Sequence, residues 1–446
     1  MIQRLAALGF ALLLSLAALP ARAAVDVVRV VSPGGIEAWL VENHANPILS
    51  MTLAFRGGAT FIDQATRAGT GELLAGMMNE GAGPHDSQTF QRLLQENSIG
   101  FEFDVGRDSF EGSIRTLSKY RELAFDLLRL SLTELRLDPD AVERVRAQLI
   151  AILAREAEDP DAIASKAFWR MAFPDHPYGR PVGGTPETVP AITIEELRRA
   201  ISVTFLRDQL VLGVVGDITP AELGPLLDRT FGSLPASAAR PEVTLAQPDF
   251  GDVAVIQREV PQSTVLFGQP GIDRQDPDFY AAFVLNYILG GGGFASRLTE
   301  EVREKRGLAY GVSTWLSTLD YADLWQGQVA TQNARVGETL GLIRQEWKRL
   351  AEEGPTEKEL EDAKTFLTGS FALRLNSTGS IAQFLVGIQV QELGIDYPEK
   401  RNEYIEAVTI EDVRRVAKRL DPAELTFVVI GQPEGVQATR EAPGPS

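Results

Sequence analysis

Two stretches of the chain, residues 191–199 and 407–415, have nearly the same sequence, AITIEELRR and AVTIEDVRR. In each copy a threonine, Thr193 or Thr409, is followed three residues later by an acidic residue, which is the spacing of a helix N-cap closed by a capping box. An apolar strand follows each of these helices, and both strands end at a glycine. Because helix, strand and glycine recur in the same order, the chain is predicted to contain two halves that arose by duplication.

Long helices alternate with short strands in both halves. This pattern predicts an α+β fold with two homologous domains, each a mainly antiparallel sheet with helices packed on one face. Pro241 and Pro248 lie among small residues with little periodicity, which is typical of a linker. The predicted boundaries are 24–235 for the first domain, 236–250 for the linker, 251–435 for the second domain and 436–446 for a flexible, Pro- and Gly-rich tail.

The first 23 residues have the pattern of a secretory signal peptide. Arg4 precedes an apolar run from Leu5 to Leu19, and small residues stand at the positions that a signal peptidase reads, so cleavage is expected after Ala23. The run is short for a membrane span of about 20 residues, which argues against an uncleaved anchor. We therefore expect a periplasmic protein without stable membrane insertion.

The composition excludes several classes of function. The chain has no cysteine, so thiolate ligands and thiol nucleophiles are excluded. Its formal charge of −18 argues against a nucleic-acid partner, since phosphate binding needs a basic surface. The three histidines, His44, His85 and His176, are scattered through loop-like sequence, so no helix face offers the paired imidazoles of a zinc site.

A run of four glycines (Gly290, Gly291, Gly292 and Gly293) stands between two predicted helices. The run lacks the Lys-Ser/Thr pair that follows the last glycine of a phosphate-binding loop, so nucleotide binding is not expected. Two interpretations remain for it: a flexible turn, or a loop that contacts a peptide.

Arg303 and Tyr310 lie seven residues apart after this run. Arg303 falls in the last turn of a predicted helix, Gly307 is the expected C′ residue, and a strand is expected to begin at Leu308. Regular alternation along that strand would place Leu308, Tyr310 and Val312 on one face. From the residues alone, Arg303 is a basic residue that stabilises a helix C-terminus, and Tyr310 is a core residue.

The segment at 286–298, NYILGGGGFASRL, together with residues 303–310, closely resembles the second half of the pitrilysin/insulysin family of zinc peptidases. It is most similar to the two-domain bacterial, mitochondrial-processing-peptidase-like branch. The sequences HPYG at 176–179 and VVGDI at 214–218 are similar to landmarks of the family's first half. The resemblance covers nearly the whole chain after the predicted signal peptide, and it implies the same two-domain fold.

Active members of this family hold zinc through an H-x-x-E-H motif, in which two histidines bind the metal and the glutamate is the general base. The resemblance places these motif positions at Glu72, Ala75 and Gly76, and the family's third ligand, a glutamate, near residues 151–153. None of these positions carries the required side chain, and Glu156 nearby would make only a weak, oxygen-rich site. The resemblance therefore implies no metal and no cofactor in this chain, and Glu72 is expected to be an exposed helix residue.

In the same family, an Arg and a Tyr seven residues apart bind the substrate peptide and help to stabilise the tetrahedral intermediate. Arg303 and Tyr310 match this spacing and context, so the resemblance implies a substrate-binding role for both. Some branches of the family divide the zinc site and the Arg/Tyr pair between two chains. This chain is thus expected to be a non-catalytic, substrate-binding subunit of a heterodimeric periplasmic zinc metallopeptidase.

The expected partner is a homologous peptidase subunit that carries the zinc, and the expected substrate is a peptide or unfolded polypeptide. Two alternatives stay open. The chain could form a metal-free homodimer that binds peptides without hydrolysis, or it could serve as a structural scaffold.

Overall fold

The structure is a computed structural model that describes residues 26–444, so the predicted signal peptide lies outside the described residues. Within 26–444, no helix combines the length and the apolar character that a membrane span requires. The strands are β1 Val28–Val31, β2 Glu37–Glu42, β3 Ile48–Arg56, β4 Gly81–Ala82, β5 His85–Asp86, β6 Gly100–Val105, β7 Ser109–Leu117, β8 Leu210–Gly216, β9 Val253–Gln257, β10 Gln262–Pro270, β11 Ala309–Thr318, β12 Asp323–Gln332 and β13 Thr426–Gly431. The α-helices are α1 Gly58–Ile62, α2 Thr70–Met77, α3 Ser87–Glu96, α4 Arg121–Thr133, α5 Pro139–Glu156, α6 Pro160–Ala172, α7 Ile194–Thr204, α8 Pro220–Phe231, α9 Phe279–Asn286, α10 Val336–Glu353, α11 Glu357–Gly369, α12 Thr378–Val390, α13 Tyr397–Glu406 and α14 Ile410–Ala417.

Two sheets form the frame of the molecule. The first has the strand order β1-β2-β8-β3-β7-β6, and the second has the order β11-β12-β10-β13-β9. The pairs β2–β8 and β9–β13 are parallel, and the other neighbouring strands are antiparallel. The series β2-β8-β3-β7-β6 is therefore matched strand for strand by β9-β13-β10-β12-β11. The predicted α+β class and the repeated plan of the two halves are confirmed.

The repeated sequence forms the same helix start in both halves. The side chain of Thr193 accepts a hydrogen bond from the Glu196 amide at 3.2 Å, and the Glu196 carboxylate accepts one from the Thr193 amide at 2.6 Å. Thr409 and Asp412 form the same capping box, with corresponding distances of 3.2 and 3.0 Å. The predicted capping boxes are thus present, and each satisfies two backbone N–H groups at the start of a helix.

One helix of each half packs on the sheet of the other half. Helix α6 of the first half packs on β10 and β13, while α12 of the second half packs on β3 and β8. Two glycines make room for this packing: a Cβ on Gly213 would lie 2.5 Å from the Ala382 carbonyl oxygen, and a Cβ on Gly268 would lie 2.9 Å from the Phe168 ring. A helix from the other half therefore covers the second face of each sheet, in addition to the predicted layer of helices on one face.

Residues 236–250, the predicted linker segment, form neither helix nor strand. The described part of the tail forms hydrogen bonds and an ion pair with the rest of the protein. The Thr439 amide donates to the Val253 carbonyl at 2.9 Å, Arg440 pairs with Asp249 at 2.7 Å, and Arg170 donates to the Gly444 carbonyl at 2.9 Å. Composition alone could not show these partners, since they lie about 190 residues or more away in the sequence.

Candidate functional site

The positions of the lost zinc motif lie on α2. Glu72 is half-buried and lines a cavity of about 240 Å³ between α2, α5, α6 and the segment at 179–183. Burial, and after it the nearby carboxylates of Asp104 and Glu156, together raise the pKa of the Glu72 carboxyl to about 6. Glu72 therefore lines a cavity, and the expectation that Glu72 is an exposed helix residue is wrong. The sequence of α2 could not reveal this, because α5 and α6 supply the facing walls.

The residues around this cavity do not fit a zinc ion. Glu156 pairs with Lys166 at 2.9 Å, so its charge is already matched. Ala75 is buried, and a Cβ added to Gly76 would lie 2.6 Å from Cγ1 of Val145, so a histidine there has no room. Among residues 26–444, no three His, Cys, Asp or Glu side chains are grouped as metal ligands. The positions at which the resemblance places the zinc ligands therefore carry no ligand, and position 76 is closely packed against Val145.

Two of the three histidines have local side-chain partners. Nδ1 of His44 lies 2.8 Å from Asp217, and the ring of His176 packs edge-on to Tyr178 with the ring centroids 4.6 Å apart. His85 lies in the short strand β5, not in a loop as expected. The imidazoles of His44 and His176 therefore have partners within their own neighbourhoods.

A second group of residues, the Arg303 cluster, consists of Phe294, Arg303 and Tyr310. The guanidinium carbon of Arg303 lies 4.4 Å from the centre of the Phe294 ring and 5.0 Å from the centre of the Tyr310 ring. Both rings face solvent, with 72% of Phe294 and 89% of Tyr310 exposed. Cation–π contacts of this kind hold a guanidinium in place while leaving its N–H groups able to donate.

Irregular backbone presents this cluster at the surface. Two π-helical segments, Tyr287–Gly291 and Thr299–Glu304, flank it, and π-turns are frequent at functional sites. Gly307 has a φ of 60°, which confirms its predicted place as the residue that ends the helical segment.

A β-bulge then interrupts the pairing of β11 with β12 between Ala309 and Val312. Leu308 and Val312 are buried, whereas Tyr310 points outward. The predicted common face of Leu308, Tyr310 and Val312 is wrong, because a bulge breaks the alternation of side chains along a strand. The core role that alternation alone assigned to Tyr310 is wrong for the same reason.

Close packing, more than flexibility, explains most of the glycine run. A Cβ on Gly290 would lie 2.6 Å from Thr314 Oγ1, one on Gly291 would lie 2.7 Å from Asn286 Nδ2, and one on Gly292 would lie 2.7 Å from the Tyr287 carbonyl oxygen. Gly293 alone of the four has open space around it, and its φ is 55°. The run lets β11 approach the helical segment and places Phe294 beside Arg303.

Phe294 is the residue of this site to which sequence reasoning assigned no role. The available signal was a large aromatic side chain directly after four glycines, where no regular element could bury it. The sole ion pair of Arg303 within the described residues is a 3.4 Å contact with the exposed neighbour Glu304. The lining of the Glu72 cavity includes no member of the Arg303 cluster. The Glu72 cavity and the Arg303 cluster are therefore separate within this chain.

Comparison with known proteins gives a consistent assignment. The family described as the peptidase M16 inactive domain matches residues 191–367. The chain is 31% identical over 340 residues to an uncharacterized zinc protease of Streptomyces coelicolor, covering 73% of this chain and 72% of that protein. It is 27% identical over 391 residues to the non-peptidase homologue YmxG of Helicobacter pylori, covering 87% of this chain and 90% of that one.

Solved structures have the same fold. The crystal structure of a peptidase M16 inactive domain from Pseudomonas fluorescens superposes with a TM-score of 0.85 at 26% identity, covering 94% of this chain and all of that one. A protease from Helicobacter pylori has a TM-score of 0.82 at 17% identity, which supports the fold alone. By sequence and by structure, the chain belongs to the peptidase M16 family.

Proposed function

We propose that this chain is the non-catalytic, substrate-binding subunit of a periplasmic zinc metallopeptidase whose second subunit is a homologue with an intact zinc motif. The observation that carries the proposal is the Arg303 cluster, exposed and preorganised in a chain whose motif positions are Glu72, Ala75 and Gly76. A chain that served only as a scaffold would have no need to hold a guanidinium between two exposed rings.

The chemistry of Arg303 and Tyr310 suits a role in trans. A guanidinium and a phenol both donate hydrogen bonds to a carbonyl oxygen, and their donation strengthens as that oxygen gains charge in a transition state. Neither group needs a metal in its own chain for this purpose. The partner homologue would supply the metal and the general base.

The sheets offer places where an extended peptide could pair. Strands β6 and β11 form equivalent free edges of the two sheets, and β11 starts beside Tyr310. An added strand gains affinity from main-chain hydrogen bonds, so such binding tolerates many sequences. A cavity of about 680 Å³ over β6 and β7 is lined by three carboxylates, Glu102, Asp104 and Glu111, and by one cation, Arg115, and this excess of negative charge favours peptides with basic residues.

The test compares this chain alone, the zinc-bearing homologue alone and the two together, with a quenched fluorescent peptide as substrate. We expect cleavage from the mixture only, and we expect a chelator to abolish it. Chelator-sensitive cleavage by this chain alone would overturn the proposal. Peptide binding by a homodimer, without cleavage in any mixture, would favour the metal-free binding protein instead.

The variants Arg303→Ala and Tyr310→Phe then test the site. We expect each to lower kcat of the active complex by roughly 100- to 1,000-fold, the scale of a lost transition-state donor. Assembly of the complex, measured by size-exclusion chromatography, should not change. The control Arg92→Gln removes an exposed guanidinium on α3, outside the Arg303 cluster, and should leave kcat unchanged. Wild-type kinetics for both site variants would remove these residues from the mechanism.

A further inference from the structure

A second cavity, of about 590 Å³, lies in the second half between α9, β11, α12 and α13. Its walls are aromatic: Phe279, Phe283, Trp315, Phe371 and Phe384 line it, and three arginines also reach it. Its size falls within the range of about 300–1,000 Å³ that is usual for small-ligand sites. We call it the arginine pocket and define it by Arg274, Arg374 and Arg401.

The charge of this pocket is unbalanced. Its lining residues include no Asp or Glu. Arg401 is only 5% exposed, and its pKa is lowered, first by burial and then by the nearby charge of Arg374. A buried guanidinium usually has a carboxylate partner, because desolvation of an unpaired charge is costly. An anion in the pocket would supply that missing partner.

Arg401 is held in a way that leaves it able to bind an anion. Its guanidinium carbon lies 4.4 Å from the centre of the Phe371 ring. Nη1 donates to the Leu367 carbonyl at 3.2 Å and to Asn402 Oδ1 at 2.9 Å. Both side-chain hydrogen bonds of Arg401 within residues 26–444 use Nη1, so its Nε and Nη2 keep N–H groups for a ligand. The planar fork of Arg suits a carboxylate, which can accept two parallel hydrogen bonds.

Arg274 adds a second, preorganised part of the same wall. It lies 4.0 Å over the Phe279 ring and donates to the hydroxyls of Tyr280 and Tyr397 at 3.2 and 3.3 Å. Burial raises the pKa of Tyr280 to about 12, so its hydroxyl keeps its proton and can donate in turn. The pocket thus combines cationic and hydroxyl donors with aromatic surface.

We propose that the arginine pocket binds the C-terminal carboxylate of a peptide whose last residue is aromatic. The aromatic walls favour an aromatic ring, and the arginines favour an anion close to it. Among peptides of standard amino acids, a C-terminal aromatic residue carries both on one residue. Gln383 of α12 lines both this pocket and the acidic cavity over β6, so a peptide anchored here would extend toward that cavity. The inference rests on the proposed peptide-binding function, which it extends by naming the end of the peptide that is held.

The experiment uses the full chain and two pairs of probes. The first pair is N-acetylphenylalanine and its amide, titrated by saturation-transfer NMR. The second pair is a fluorescent Lys-containing peptide ending in phenylalanine, as free acid and as amide, measured by anisotropy. We expect each free acid to bind about tenfold or more tightly than its amide, the scale of a lost hydrogen bond to a charged group.

The variants Arg401→Gln and Arg374→Gln should weaken the free acids and leave the amides unchanged, while Arg92→Gln should change neither. The Arg374 side chain is exposed and makes no hydrogen bond within residues 26–444, so Arg374→Gln stays informative if Arg401→Gln fails to fold. If the free-acid and amide peptides bind equally well, the proposed carboxylate site in the arginine pocket is contradicted, whereas the proposed peptide-binding function is supported. If the protein binds N-acetylphenylalanine but binds no peptide, the result would support the arginine pocket as an anion site and contradict the proposed peptide-binding function. If no probe binds, both proposals fall.

Discussion

At the scale of single residues, Glu72 shows what the loss of a metal site leaves behind. Its pKa is raised from 4.5 to about 6 by burial and by neighbouring carboxylates, so the folded protein holds this proton more tightly than the unfolded chain does. The folded state then binds more protons than the unfolded state between about pH 4.5 and pH 6. The free energy of unfolding must therefore fall as the pH rises through this window, and the ionised Glu72 is destabilising at neutral pH.

Glu72→Gln is expected to remove this penalty. The variant should be more stable than the wild type by about 1 kcal/mol at pH 7.5, after a discount for partial solvent screening, and equally stable below pH 4. Urea unfolding followed by circular dichroism at several pH values measures the difference. Glu361→Gln, a change at an exposed carboxyl on α11, is the matched control and should show no such pH-dependent gain. An equal gain at pH 4 and pH 7.5 would mean that the effect is not ionisation.

Gly76, at another of the zinc-motif positions, is closely packed against Val145. A glycine-to-alanine change inside an exposed helix normally stabilises by up to about 1 kcal/mol. Here the new Cβ would lie 2.6 Å from Val145 Cγ1, so Gly76→Ala should instead destabilise by about 1–2 kcal/mol. Gly341→Ala in α10, where a Cβ meets nothing within 4 Å, should give the normal gain. The double variant Gly76→Ala with Val145→Ala should show a smaller loss than the sum of the two single changes, measured by urea unfolding. Strict additivity would argue against the clash.

At the scale of elements, the glycine run and the bulge together build the Arg303 cluster. Gly290 is buried against β11, and a Cβ there would lie 2.6 Å from Thr314 Oγ1 and 3.0 Å from the Thr314 backbone nitrogen. We expect Gly290→Ala to lower the free energy of unfolding by about 1–3 kcal/mol, because the strand would have to shift. Binding of the free-acid peptide should weaken with it if the strand edge takes part.

Gly293 provides the comparison within the same run. It has open space and a φ of 55°, so Gly293→Asn, a residue that tolerates this backbone region, should cost under about 1 kcal/mol. Thermal unfolding of both variants would test the contrast. A larger loss for Gly293→Asn than for Gly290→Ala would show that the run serves flexibility more than packing.

Features with local causes could be predicted from the sequence, whereas features that depend on residues distant in the sequence could not. The capping boxes of Thr193 and Thr409 are local patterns, and both were predictable from spacing alone. The outward turn of Tyr310 was not, because the bulge arises where two strands pair and leaves no periodic mark in either one. The cavity beside Glu72 and the arginine pocket were out of reach for the same reason, since three or four elements distant in sequence supply their walls.

At the scale of the whole molecule, the exchange of α6 and α12 makes the two halves interdependent. Leu266 and Val428 of the second sheet are buried against α6, and Trp39 and Val215 of the first sheet are buried against α12. These residues lie on the sheet faces opposite the larger cores, which include Phe267 and Val214. Either half alone would expose an apolar sheet face to water, and exposed apolar area costs about 25 cal/mol per Å². A large exposed patch of this kind leads to association or aggregation.

Separation of the halves in the linker tests this interdependence. Residues 26–242 and 243–446, produced separately, should each bind a hydrophobic dye and aggregate, whereas the two produced together should form a one-to-one complex with the circular dichroism of the intact chain. Gly213→Val on β8 should prevent the complex, because the Cβ approaches the Ala382 carbonyl at 2.5 Å and would displace α12. Gly387→Ala on α12 itself, where a Cβ meets nothing within 4 Å, should leave the complex intact. If either half alone gave a monomeric, cooperatively unfolding protein, the exchanged helices would be accessory. If both halves need each other, the Glu72 cavity can be altered in one fragment and the Arg303 cluster in the other before the two fragments are combined. Peptide binding by each combination then measures the contribution of each group of residues.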